Sequence, residues 1–109
     1  MTFDRSKLFS TKALNEREVT ACGQTFVVHV RRLPAVDLRK FYAEVLSPEI
    51  DVRSRAGFEA LSKAIRNDDG SPFATLAEYQ NLDSDALKAL MAVFTEVNEQ
   101  KADPELGNA

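Results

Sequence analysis

The chain has 109 residues, of which 44% are hydrophobic and 28% are charged, as expected for one globular domain and not for a disordered chain. No apolar run approaches the roughly 18 residues of a transmembrane helix, and residues 1–12 lack the apolar segment of a secretory signal. The single cysteine, Cys22, excludes an internal disulfide and fits a reducing compartment.

The charges are distributed unevenly along the chain. Residues 1–66 hold 12 Lys/Arg and 8 Asp/Glu, a surplus of four positive charges, whereas residues 67–109 hold 2 Lys/Arg and 9 Asp/Glu, a surplus of seven negative charges. Such a split favours head-to-tail association, because complementary charges steer encounters between copies. A chance difference in charge between two solvent-exposed faces would give the same charge counts.

Residues 1–15 show no clean hydrophobic period and are predicted to form a loose arm. Residues 16–31 predict a β-hairpin, with Cys22 and Gly23 as a two-residue turn in which glycine tolerates positive φ. This turn places Val19 opposite Phe26. The predicted apolar face of the hairpin consists of Val19, Ala21, Phe26, Val28 and Val30.

Four helices are predicted after the hairpin, at residues 35–46, 52–66, 76–81 and 84–100. Pro34 fits the first turn of the first helix, and Thr75 with Glu78 forms a capping box before the third. The stripe of the first helix is Leu38, Phe41, Tyr42, Val45 and Leu46. The stripe of the last is Leu87, Leu90, Met91, Phe94 and Val97.

These elements predict a single small domain at residues 16–100 of the α+β class, mostly α-helical, with an N-terminal β-hairpin followed by about four helices. Residues 101–109 are polar, contain Pro104, and are predicted to form a disordered tail.

The loop RNDDGSPFAT at residues 66–75 invites comparison with a calcium-binding EF-hand loop. Aligning Gly70 with the loop glycine puts Ile65 where the first Asp is needed and Leu76 where the bidentate Glu is needed. The loop is therefore interpreted as a turn that ends a helix. Pro72 is expected to stiffen the segment that delivers Phe73 to the core.

No catalytic, metal or cofactor site is predicted. Cys22 in the turn and His29 far along a strand lie too far apart to form a nucleophile–base pair, and zinc would need further histidines or cysteines. The basic residues form no dense patch, and the pI of about 5.1 argues against nucleic-acid binding. A binding or assembly role is the interpretation that remains.

The order of elements and one continuous stretch carry a resemblance. The acidic turn "DDGSPF" at residues 68–73 is followed by "NL" at 81–82 and by the helix "LKALMAVFTEVN" at 87–98, and the front half reads "REVTACGQTFVVHVRRLPAVDLRKF" at 17–41. Residues 15–100 thereby resemble the small tail assembly chaperones of long-tailed bacteriophages, the siphophages.

The resemblance implies a protein without enzymatic activity. Members of this family bind the very long tape-measure protein, keep it soluble, and help the tail-tube protein polymerise around it. They work in the host cell cytoplasm during infection or prophage induction, and they are absent from the mature virion. The family often makes a longer form by translational frameshifting, for which the tail "KADPELGNA" would be the junction.

The expected partners are the tape-measure protein, the tail-tube protein and further copies of the chain in rings or spirals, with no nucleic acid and no membrane. The predicted partner-binding residues are Phe26 and Val28 at the hairpin edge, Met91 and Phe94 on the last helix, and Phe73. Two alternatives stay open, another phage structural adaptor such as a head–tail connector and a small nucleic-acid-binding regulator.

Overall fold

The computed structural model describes residues 3–9 and 13–98. The elements in chain order are a 3₁₀ helix Arg5–Phe9, β1 Leu14–Ala21, β2 Gln24–Arg31, α1 Ala35–Val45, α2 Ile50–Ala64, β3 Ile65–Arg66, α3 Leu76–Gln80 and α4 Ser84–Asn98. The predicted α+β class, with an N-terminal hairpin followed by four helices, is confirmed. The predicted tail at 101–109 lies outside the described residues.

The hairpin forms around the predicted turn. Cys22 and Gly23 both have positive φ, 54° and 75°, the conformation that a tight two-residue hairpin turn requires. The predicted register is confirmed, because Val19 pairs with Phe26 and Ala21 with Gln24. Alternation then turns one face of the hairpin towards the helices, where Val28 is fully buried.

The first strand begins two residues earlier than predicted. Leu14 and Asn15, assigned above to a loose arm at 1–15, belong to β1 and pair with Arg31 and Val30. The Asn15 amide also donates to the Val30 carbonyl at 3.0 Å. The prediction of a loose arm over residues 1–15 is therefore corrected. Hydrogen bonds fix the start of the strand, and they leave no hydrophobic period in the sequence.

The predicted second helix is wrong at its C-terminal end. The helix α2 stops at Ala64, and Ile65 and Arg66 continue in extended conformation as β3, opposite Val30 and His29 of β2. Ile65 is fully buried, so packing of this β-branched side chain against the sheet prevails over its helical spacing. The sheet order is β1-β2-β3, which makes β2 the central strand.

The core lies between one face of the sheet and the helices α2, α3 and α4. Its buried members are Val19, Val28, Val30, Leu33, Ala60, Leu61, Ala64, Ile65, Tyr79, Leu90, Val93 and Phe94. Helix α1 contributes no buried residue and packs mainly on α2. It is therefore an outer layer of the domain, attached along one side.

Candidate partner interface

Two of the five predicted partner-binding residues lie inside the molecule. Val28 is 0% and Phe94 1% exposed. Val28 points inward by strand alternation, and the Phe94 ring lies under Phe41, edge to face, with centroids 5.2 Å apart. Their assignment to a partner surface is corrected, because neither side chain can touch a partner while the domain is folded.

Met91 belongs to a helix contact. It is half-buried and packs against the core cluster, and a Cβ placed on Gly57 would lie 3.7 Å from its sulfur. Gly57 of α2 therefore faces the Met91 side chain of α4 at van der Waals distance. Only the outer side of Met91 remains open to a partner.

Phe26 and Phe73 form a surface pair. Their rings are stacked, with centroids 6.4 Å apart and planes inclined by 11°. Phe26 is half-buried and Phe73 is 37% exposed. The expectation that the loop delivers Phe73 into the core is corrected, since its ring covers the edge of the core and keeps one side in solvent.

The turn before Phe73 is ordered by its own side chains. Gly70 has a φ of 86°, and the Asn67 amide donates to the Pro72 carbonyl at 3.1 Å. The Asp69 carboxylate accepts from the hydroxyl and the backbone N–H of Ser71, at 2.5 and 2.9 Å, and these hydrogen bonds lower the pKa of Asp69. Asp69 is the carboxylate in this loop that most resembles a calcium ligand, and it instead accepts hydrogen bonds within the turn.

The structure reveals a larger apolar surface, on α1. Of the predicted stripe, Leu38 and Phe41 pack against the core cluster, while Tyr42 and Val45 are each 37% exposed and Leu46 is 82% exposed. Ile50, at the start of α2, is 65% exposed. We call Tyr42, Val45, Leu46 and Ile50 the α1 apolar surface.

The corner between α1 and α2 fixes the orientation of this surface. The Ser47 N–H donates to the Glu44 carbonyl at 3.1 Å and the Glu49 N–H to the Ser47 hydroxyl at 3.1 Å. The Arg53 guanidinium donates to the Ser47 carbonyl at 3.3 Å. Leu46 and Ile50 are therefore held outward by an ordered turn.

The surroundings of the α1 apolar surface are acidic. Residues 41–53 hold three acidic residues, Glu44, Glu49 and Asp51, and one basic residue, Arg53, whose guanidinium lies at the Ser47 carbonyl, a surplus of two negative charges. A partner with basic residues beside its apolar side chains would meet complementary charge here.

The sequence signal for the α1 apolar surface was the apolar stripe of the helix. Such a stripe shows that a helix is amphipathic, but it does not show how much of the stripe other elements cover.

A second set of exposed apolar side chains lies at the N-terminus. We call residues 3–9 the N-terminal arm; in it Phe3 is 73%, Leu8 66% and Phe9 65% exposed. The Arg5 guanidinium lies 4.7 Å from the centroid of the Phe9 ring, a cation–π distance. With Lys7, the arm presents apolar and basic groups together.

The described residues contain no group of three or more His, Cys, Asp or Glu side chains that could hold a metal ion. The one cysteine is exposed, and its backbone N–H donates to the Asp85 carboxylate at 3.0 Å. Partial desolvation and the Asp83 and Asp85 carboxylates raise the pKa of the Cys22 thiol. A raised pKa disfavours the nucleophilic thiolate.

No family model, curated protein or solved structure matches this chain. None of the helices in residues 3–9 and 13–98 is long and apolar enough to cross a membrane.

Proposed function

We propose that this protein is a siphophage tail assembly chaperone. In this role it binds the tape-measure protein without catalysing a reaction, keeps it soluble in the host cytoplasm, and promotes polymerisation of the tail-tube protein. The observation that carries the proposal is the α1 apolar surface, where Leu46 is 82% and Ile50 65% exposed on an ordered corner. Large apolar side chains grouped on a surface are typical of interaction sites.

The shape of the surface favours a helical client. Tyr42, Val45 and Leu46 follow the i, i+3, i+4 spacing that places side chains next to each other along a helix. A second helix with an apolar stripe packs against such a row by placing its own side chains between them. A tape-measure protein, being long and helical, has many such stripes and no tube to bury them before assembly.

The acidic surroundings of this surface add a preference. Glu44, Glu49 and Asp51 attract client segments with Lys or Arg beside the apolar stripe and repel acidic ones. Because Glu49 and Asp51 are solvent-exposed, this electrostatic preference weakens as salt concentration rises.

Co-expression with a tape-measure protein tests the function. The proposal expects the tape-measure protein to be insoluble alone, soluble with the wild-type chain, and captured with it in a pull-down. Mass spectrometry of purified virions should lack the chain. A tape-measure protein that stays insoluble with the wild-type chain present, or the chain as a stoichiometric virion component, would contradict the proposal.

A further inference from the structure

We infer that the N-terminal arm of one copy docks on the α1 apolar surface of a second copy. The two apolar sets sit on the same chain, and in that chain both face solvent, with Phe9 65% and Leu46 82% exposed. The arm therefore does not cover its own α1 surface. Association of two copies removes both sets from water at once, which is favourable in proportion to the apolar area buried.

The charges of the two sets are complementary. The arm carries Arg5 and Lys7 against Asp4, a surplus of one positive charge, whereas residues 41–53 around the α1 surface hold three acidic residues and Arg53, a surplus of two negative charges. The Asp4 carboxylate is engaged within the arm, because it accepts from the Ser6 hydroxyl at 2.6 Å and from the Ser6 N–H at 3.1 Å. In the inferred contact the net positive charge of the arm meets the net negative charge around the α1 surface.

The contact is small and therefore weak. The arm offers three large apolar side chains, Phe3, Leu8 and Phe9, and even full burial of a Phe removes only about 150–250 Å². Stable interfaces bury about 800 Å² on each partner. Self-association is accordingly expected to depend strongly on protein concentration.

The arm and the α1 surface are different parts of the chain, so the contact is heterologous. Heterologous contacts generate rings when the rotation closes and open chains when it does not. An arm on the α1 surface also occupies the surface that the proposed function assigns to the client, so that client binding would have to displace it. The inference itself needs no client and is tested without one.

The experiment is light scattering with size-exclusion chromatography of the purified full chain over a range of concentrations. The wild type is expected to move from monomer to larger species as concentration rises. Phe9→Ser in the arm and Leu46→Ser on the α1 surface should each weaken self-association about tenfold or more, as for central interface residues. The matched control is Val36→Ser, which changes another apolar residue of α1, 74% exposed but outside the surface, and should leave self-association unchanged.

A mixing experiment identifies the geometry of the contact. The Leu46→Ser chain keeps an intact arm and the Phe9→Ser chain an intact α1 surface, so an equimolar mixture should form one-to-one dimers that do not grow. Circular dichroism melts confirm that both variants are folded. A monomeric wild type, self-association that persists in both single variants, or a mixture that stays monomeric would overturn the inference.

The readouts separate this inference from the proposed function. Arm-dependent self-association with no effect on tape-measure solubility would leave the inference standing and contradict the function. If a strictly monomeric chain forms a soluble complex with the tape-measure protein, the inference is contradicted and the proposed function stands.

Discussion

Asn98 ties the end of α4 to the segment between β2 and α1. Its side chain is buried, at 3% exposure. Its carbonyl oxygen accepts from the Leu33 N–H at 2.7 Å, and its amide donates to the carbonyls of Arg31 and Phe94, each at 3.2 Å. The side chain therefore joins the end of α4 to the end of β2 and to Leu33 by hydrogen bonds to backbone groups.

Replacing Asn98 with Ala should lower the free energy of unfolding by about 1–3 kcal/mol, because the buried Leu33 N–H and Arg31 carbonyl lose their partner. Urea denaturation measures the change. Asn81→Ala is the matched control, since Asn81 is exposed and its amide donates to the Ala77 carbonyl within the same helical turn; its cost should stay within about 0.5 kcal/mol. Equal costs for the two substitutions would show that burial of Asn98 has no energetic consequence.

Tyr79 is a buried phenol. It is 0% exposed, and among the described residues its hydroxyl has no hydrogen-bond partner. Burial raises the pKa of Tyr79 from 10.0 to about 12, because the phenolate would lose its hydration. The folded state consequently holds this proton at pH values where the unfolded chain has already lost it.

Stability should therefore fall as pH rises from 10 towards 12, since the unfolded state binds fewer protons in that window. Below pH 10 the phenol is protonated in both the folded and the unfolded state, so Tyr79 makes its full contribution to the free energy of unfolding. Urea unfolding across the window should show a smaller alkaline loss for Tyr79→Phe than for the wild type. An unchanged pH dependence in Tyr79→Phe would be the contrary result.

At the scale of elements, the hairpin could be predicted and β3 could not. A two-residue turn containing Gly23 fixes the pairing of everything before and after it, so the register followed from local chemistry. The strand β3 has only two residues, Ile65 and Arg66, directly after α2. Its extended conformation depends on pairing with β2, which is distant in sequence and invisible to hydrophobic periodicity.

For the candidate site on helix α1, too, the sequence does not reveal which residues other parts of the chain contact. Its apolar stripe was predictable, but the stripe does not tell which of its members the other helices cover. The structure places Phe41 against Phe94 and leaves Leu46 exposed. Val28 and Phe94 were assigned to a partner surface because edge and stripe positions look alike in sequence, whether the core or a partner covers them.

Helix α3 has five residues and depends on its cap. The Glu78 N–H donates to the Thr75 hydroxyl at 3.2 Å, and the Thr75 N–H donates to the Glu78 carboxylate at 2.9 Å. A helix this short is not stable by propensity. The cap therefore holds the turn that delivers Tyr79 to the core.

Thr75→Ala should lower the free energy of unfolding by about 0.5–2 kcal/mol, the usual cost of losing an N-cap side chain. Thermal or urea unfolding gives the value. The control is Ser54→Ala at an exposed position inside α2, where Ala is a better helix former and no loss is expected. A Thr75→Ala chain as stable as the wild type would mean that packing of Tyr79 alone holds α3.

At the scale of the whole molecule, the uneven charge is only partly neutralised within the domain. Among the described residues, the ion pair Arg17–Glu96, at 2.7 Å, joins the basic first part of the chain to the acidic second part. The other two pairs, Lys40–Glu59 and Lys63–Asp37, lie within the first part. The acidic residues of the second part that the structure describes lie on the surface and favour basic partners.

The most direct test of the proposed function is the affinity of the chain for a helical tape-measure segment with an apolar stripe. Isothermal titration calorimetry measures this affinity at concentrations where the chain is monomeric. If the α1 apolar surface binds the client, Leu46→Ser should weaken binding about tenfold or more, while Val36→Ser should bind like the wild type. Equal affinity of the Leu46→Ser and wild-type chains, or no binding by the wild type, would contradict the account.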